Sequence, residues 1–112
     1  MALDDYEAVL KAAGDPARAR ILKLLEGREL CVSQLMEILD LSQSTVSGHL
    51  SVLKKAGLLK RRKSGRLAYS SLADRKHNDY SLPMLALMLG WLDDDPQVRS
   101  DRRKLAMILA DK

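Results

Sequence analysis

Apolar residues recur at helical spacing along most of this chain, and the breaks in that period divide it into six helices and one hairpin. Leu3, Tyr6, Val9, Leu10 and Ala13 form the first set, closed by Gly14. Asp15-Pro16 restarts the chain, with Asp as cap and Pro at the first helical position, where its missing N–H is no loss. Ile21, Leu24 and Leu25 then line one face as far as Gly27, and Arg18, Arg20, Lys23 and Arg28 are expected on the solvated side. A third helix runs from about Val32 to Asp40 with Leu35, Ile38 and Leu39 inward. After the short polar break Asp40-Leu41-Ser42, Ser42 caps a fourth helix reaching about Ala56, and Gly57 suits the left-handed position that stops it. Val46, Leu50 and Leu53 face inward on that helix. Ser44, Ser47, Gly48, Ser51 and Lys55 face out, with Gln43, His49 and Lys54 on the flanks. Two helices joined by so short a turn match the helix-turn-helix plan.

The period changes from Leu58 to Leu72, where two β-like runs flank the turn signal Ser64-Gly65. A basic hairpin after a helix-turn-helix is a wing. Two helices follow. Between Ser81 and Leu92, one stripe holds Leu82, Leu85, Leu89 and Leu92, and another holds Met84, Met88 and Trp91. A helix apolar on two faces needs two covers, here its own core and a second subunit. Asp95-Pro96 repeats the earlier capping device, and Val98, Leu105, Ile108 and Leu109 give the last helix its inward face. The expected fold is mainly α with a small β-hairpin, a winged helix-turn-helix forming a single domain over residues 1–112. Within it, 32–56 is the helix-turn-helix, 58–72 the wing, and 1–14 and 79–112 the dimerisation helices. Leu82, Leu85, Met88, Leu89, Trp91 and Leu105 are the expected subunit contacts.

Composition narrows the function class. With no Phe, one Trp and three Tyr, the chain lacks the ring faces a base-stacking single-strand binder uses. No apolar run approaches the ~20 residues of a membrane span, and Met1-Ala2-Leu3-Asp4-Asp5 lacks the parts of a signal peptide. A single cysteine excludes an intramolecular disulfide framework, so a reducing, cytoplasmic location is expected.

Charge changes the picture most. From Leu41 to Ala73 there are seven basic and no acidic residues, while the remainder holds twelve basic and fifteen acidic ones. The overall +4 therefore conceals a strong local field that attracts polyanions. Gln43, Ser44 and Ser47 are short donors and acceptors at the start of a helix able to enter a major groove, where Gln43 suits bidentate bonding to adenine. Thr45 and His49 are placed for phosphates, helped by the helix N-terminus, and Lys54 adds charge at the far end. A capped, solvated helix start is the plainer account of the same serines. In the wing, alternation lets only about half of Lys60, Arg61, Arg62, Lys63 and Arg66 face one DNA surface. Arg61, Lys63 and Arg66 are taken as the contacts, with Lys63 and Arg66 nearest the tip. Gly48 is odd, because an exposed mid-helix glycine costs about 1 kcal/mol relative to alanine. His49 and His77 have no nucleophile or carboxylate constellation around them, so an enzyme is not expected. A protein-interaction module whose basic face meets an acidic partner is the alternative from a different class.

Gly14-Asp15-Pro16-Ala17-Arg18-Ala19-Arg20-Ile21-Leu22, Glu29-Leu30-Cys31-Val32, Ser42 to Leu50, Leu53 to Leu58 and Gly65-Arg66 occur in an order that resembles the ArsR/SmtB family of bacterial winged-helix repressors. The resemblance spans nearly the whole chain. It implies a homodimer that binds double-stranded operator DNA, represses a promoter and is released by an effector. Arsenite, antimonite or a divalent metal ion would be the effector, with Cys31 as the candidate ligand. In the family's arsenic-responsive members, cysteines also stand at the places of Ser33 and often Met36, so this chain keeps only the first. Soft trivalent arsenic wants several thiolates. A regulator without a metal site, effector-free or responding to oxidation of Cys31, is the alternative, and a small packed apolar residue is the plain reading of that cysteine. His and acidic residues on terminal helices serve the family's zinc and nickel sensors, whereas no His occurs here between Tyr80 and Lys112.

Overall fold

The computed structural model describes residues 1–111 and runs α1 (Leu3–Gly14), α2 (Pro16–Leu24), β1 (Leu30–Cys31), α3 (Val32–Leu39), α4 (Gln43–Lys55), β2 (Leu59–Ser64), β3 (Leu67–Leu72), α5 (Ser81–Met88) and α6 (Pro96–Ala110). Lys112, the end of the expected terminal helix, lies outside the described residues. Three helices start on side-chain caps. Asp15 accepts from the Arg18 amide at 3.1 Å, Ser42 from Thr45 at 3.3 Å and Asp95 from Val98 at 3.0 Å. Val46, Leu50 and Leu53 of α4 are fully buried with Leu35 and Ile38 of α3 and Ile21 and Leu22 of α2. Each such side chain contributes roughly 1.5–3 kcal/mol of burial, which fixes α4 against α3 and α2. Among the described residues, no helix is long and apolar enough to cross a membrane.

The wing is part of an antiparallel three-stranded sheet in the order β1-β3-β2. Strand β1 has two residues, too short to show a period, which is why the sequence reading lacks it. It pairs Leu30 with Ser70 and Cys31 with Tyr69, binding the wing's base to the start of α3. Gly57, at φ 82°, is needed twice over: the backbone is left-handed, and a Cβ there would lie 2.5 Å from the His77 Cβ. Asn78 holds that segment down. Its amide donates to the Ala56 carbonyl at 3.0 Å, and its oxygen accepts from the Tyr80 and Ser81 amides at 2.9 Å each.

The cations of α2 depart from expectation. None of the three in the helix is exposed, and only Arg28, beyond its end, is. Arg18 donates to the Ala12 carbonyl at 2.9 Å. Arg20 makes a bidentate pair, 2.8 Å on both arms, with Asp101, which is itself buried. Lys23 is 2% exposed, and its ammonium meets Glu26 at 2.7 Å, the Met88 carbonyl at 2.9 Å and Asp93 at 3.1 Å. An ammonium has three protons, and all three have acceptors. Arg102 closes the network by bridging Glu26 at 3.1 Å and Asp93 at 2.9 Å. A periodicity argument reads charge as outward; here later segments cover the charged face and supply its partners.

The same network reshapes the C-terminal part. The expected helix to Leu92 ends at Met88, with Gly90 at φ 84° and Leu92 at φ 65° in the turns that follow. Lys23 donates to the Met88 carbonyl at the end of α5, which also accepts from the Trp91 amide at 3.0 Å. Helix α6 then folds back on α2 and α3 of its own chain. In consequence Leu85, Met88 and Leu105, expected as subunit contacts, are buried in this protomer's own core. Leu82 packs partly against that core, and Leu109, expected inward, is 37% exposed. Leu89 and Trp91 remain exposed, at 62% and 53%.

Replacing Lys23 by Met leaves Glu26 and Asp93 with Arg102 as their remaining cation and removes three hydrogen bonds to the buried ammonium. Urea unfolding at neutral pH should show a loss of about 1–3 kcal/mol. The Lys23 hydrogen bond holds the Asp93 carboxyl below its ordinary range, against desolvation and with help from Arg102. A depressed folded value means this stability is present above the unfolded pKa of ~3.9 and is lost as pH falls through the folded one. Lys23→Met therefore flattens the acid limb of the stability profile. In α4, a Cβ on Gly48 meets nothing within 4 Å, so Gly48→Ala raises stability by about 0.5–1 kcal/mol in the same assay.

Candidate nucleic-acid interface

Strand register sorts the wing cations into two sets. Arg62 pairs across from Tyr69, its guanidinium 4.9 Å from the ring centroid, and its Nε donates to Glu29 at 3.2 Å. Lys60 lies opposite Ser71 and reaches Asp74 at 2.7 Å. Arg62 holds the Glu29 carboxyl below its usual range, and Lys60 does the same to Asp74, so both acids stay ionised. Arg61 and Lys63 point the other way, opposite Ser70 and Ala68, and Arg66 follows the turn. Among the described residues none of these three has an ion pair.

Two of the unpaired set face the start of α4. Arg61 and Arg66 line a cleft of about 350 Å³ with Gln43 and Ser47, above Cys31 and Met36. Ser44 and Thr45 are exposed beside it, joined by the capping hydroxyl: Ser42 Oγ donates to Thr45 Oγ1 at 2.9 Å and lies 3.3 Å from Ser44 Oγ. The other expected contacts lie apart. His49 Nδ1 is 3.4 Å from Arg18 at the α1–α2 corner, and Lys54 borders a different cleft at the far end of α4. Lys63 is exposed on the wing but lines neither cleft. That second cleft adds Arg75 and Lys76, which the sequence does not single out, and His77, which it considers only as a catalytic group. The available signal is their position just beyond the acid-free stretch, interrupted only by Asp74, which is bound to Lys60.

Cys31 is buried and starts α3 through a capping box in which sulfur stands in for a hydroxyl. Its amide donates to Gln34 Oε1 at 2.9 Å, and its Sγ lies 3.2 Å from Ser33 Oγ. Burial pushes the thiol up, but the Ser33 hydroxyl and the Gln34 and Ser33 amides outweigh it, leaving the thiol below its ordinary range. With one thiol, a hydroxyl and the Met36 thioether, the cleft does not fit the three-thiolate site that trivalent arsenic requires within one protomer. Among the described residues no group of three or more His, Cys, Asp or Glu could hold a metal ion. Asp93 and Asp95 are committed to Lys23 and to the α6 cap.

Away from the basic face lies an apolar one. Leu3, Tyr6 and Leu10 of α1 are exposed together with Leu87, Leu89, Trp91 and Leu92. A groove of about 150 Å³ between α1 and α5 is lined by Leu10, Pro83 and Leu87, and Tyr6 meets Tyr80 edge to face at 5.7 Å. Apolar exposure on this scale marks an interaction surface.

The model of the bacterial regulatory protein arsR family matches residues 15–61, from the cap of α2 into β2. An HTH-type transcriptional regulator of Methanocaldococcus jannaschii is 45% identical over 76 residues, 64% of this chain and 85% of the relative. A cadmium resistance transcriptional regulatory protein homologue from Staphylococcus aureus is 44% identical over 72 residues, 62% of this chain; the chain spans 59% of that relative. Among solved structures, the homodimeric winged helix-turn-helix DNA-binding domain from Mycobacterium bovis is similar with a TM-score of 0.66 and 28% identity, covering 82% of each chain. Motif order, wing and matched region agree: the chain belongs to the arsR family of bacterial regulatory proteins.

Proposed function

We propose that this protein is a homodimeric transcriptional repressor that binds double-stranded operator DNA through α4 and the wing and works in the cytoplasm, beside its DNA. One observation carries the reading: Arg61 and Arg66, which have no acidic partner among the described residues, line the cleft at the α4 start, while Lys60 and Arg62 are paired with Asp74 and Glu29. Gln43, Ser44 and Ser47 would read base edges, and Arg61, Lys63 and Arg66 would hold the backbone or enter the adjacent minor groove. Thr45, His49 and Lys54 would contribute phosphate contacts at the edges of the face. The exposed apolar surface around Leu10, Leu87, Leu89 and Trp91 would be buried against a second copy, giving the two-fold symmetry of a palindromic site.

For the effector, the donor set favours chemistry at a single thiol. Cys31 lines the same cleft as Gln43, Ser47 and the two arginines, so a thiophilic metal ion or an oxidant reacting there would disturb the reading end of α4 directly. The regulatory relative named for cadmium resistance supports a thiophilic class, and the low-lying thiol supports an oxidant.

Arg66→Ala should weaken operator and random duplex binding alike and flatten the log–log salt dependence by about one unit per protomer. Arg62→Ala, already neutralised by Glu29, should leave that slope within error; equal slopes for both variants would sink the assignment. The operator complex should dissociate on titration with cadmium or peroxide, read by fluorescence anisotropy, with arsenite, antimonite and zinc as comparisons that one thiol holds poorly, and Cys31→Ser should abolish the response. A normal response in the variant would leave Cys31 as packing alone.

A further inference from the structure

The cleft at the far end of α4 is larger than the one beneath the wing, about 550 Å³, and more strongly charged. Lys54, Lys60, Arg61, Arg75 and Lys76 line it beside His77, against a single acid, Asp74. Among the described residues Lys54, Arg61 and Arg75 have no ion pair. The pairs made by the other two, Lys60 with Asp74 and Lys76 with Asp79, are solvent-exposed, and pairs of that kind yield readily to a more concentrated anion. The α4 C-terminus disfavours negative charge, so the cations of the last turn and the loop must supply the attraction.

The loop that brings Arg75, Lys76 and His77 here is not loosely attached. The Ala73 amide donates to the Leu58 carbonyl at 3.0 Å, His77 packs on the bare face of Gly57, and Asn78 binds the Ala56 carbonyl. Cations on a preformed loop lose little freedom on binding, which suits a compact, multiply charged oxyanion better than a flexible acidic peptide. Lys54 and Arg61 are also among the residues assigned to DNA, so the loop cations adjoin that surface at the far end of α4.

We propose that this cleft is a phosphate-binding site, built by loop 74–77 on the end of the recognition helix, for either a backbone phosphate of the duplex outside the groove contacts or a free phosphate anion. It rests on the DNA-binding reading for its first source alone. The test uses the full chain and the double variant R75A/K76A, whose side chains are exposed and outside the core. If the duplex is the source, a long operator duplex loses affinity at low salt, and its salt slope falls by about 0.9 for each phosphate contact removed. A duplex trimmed to the two half-sites is unaffected. If a free anion is the source, titration with inorganic pyrophosphate shifts the Gly57 amide and His77 ring resonances in wild type and not in the variant, with duplex binding unchanged. Absence of both responses overturns the proposal. Arg66→Ala as the parallel control separates the failures: a flattened slope there with no effect at Arg75 and Lys76 removes this site alone, whereas a wild type indifferent to duplex removes the DNA-binding reading.

Discussion

A buried ammonium organises this molecule. Lys23 sits in the last turn of α2, out of water, and that position is tolerable only because three acceptors from separate places converge on it. Glu26 comes from the turn that follows its own helix, the Met88 carbonyl from the end of α5 and Asp93 from the following turn. Arg102 binds the two carboxylates to α6. Apolar contacts hold the same elements together but have no directional preference. The charged network has one, so it fixes where α5 stops and how α6 returns.

The basic face follows a comparable logic of partners. A hairpin with five cations in seven positions would repel itself and present charge on both sides. Glu29, just before β1, and Asp74, just after β3, neutralise the outward pair and leave Arg61, Lys63 and Arg66 uncompensated. The short strand β1 matters here, since its pairing with β3 brings Glu29 beside the wing. A charge run that looks uniform in one dimension thus becomes a one-sided field in three.

The helix order was legible because caps and periods agree: Asp15-Pro16, Ser42, Gly57 and Asp95-Pro96 each mark a boundary with local chemistry that tertiary packing does not override. The wing was legible from its turn and charge. Illegible features all depend on contacts distant in the chain. Nothing near Lys23 announces Asp93, and nothing near Arg20 announces Asp101, eighty-one positions away. Periodicity shows that α5 and α6 have apolar stripes, but not which stripe the protomer itself covers; hence Leu85, Met88 and Leu105 read as subunit contacts and prove to be core. At the candidate site, residue types and spacing mark Gln43, Ser47 and Arg66, while the cleft that gathers them above Cys31 arises from β1, which has no sequence signature.

Asn78 has a mechanical consequence. One carboxamide grips the carbonyl at the exit of the recognition helix and the amides at the entrance of α5. Those two helices are therefore welded at a corner, without a swivel between them. In a symmetric pair, the distance between the two reading heads would be governed by the tilt of one whole subunit against the other, as the gap of a calliper is set at its pivot and not by bending its jaws.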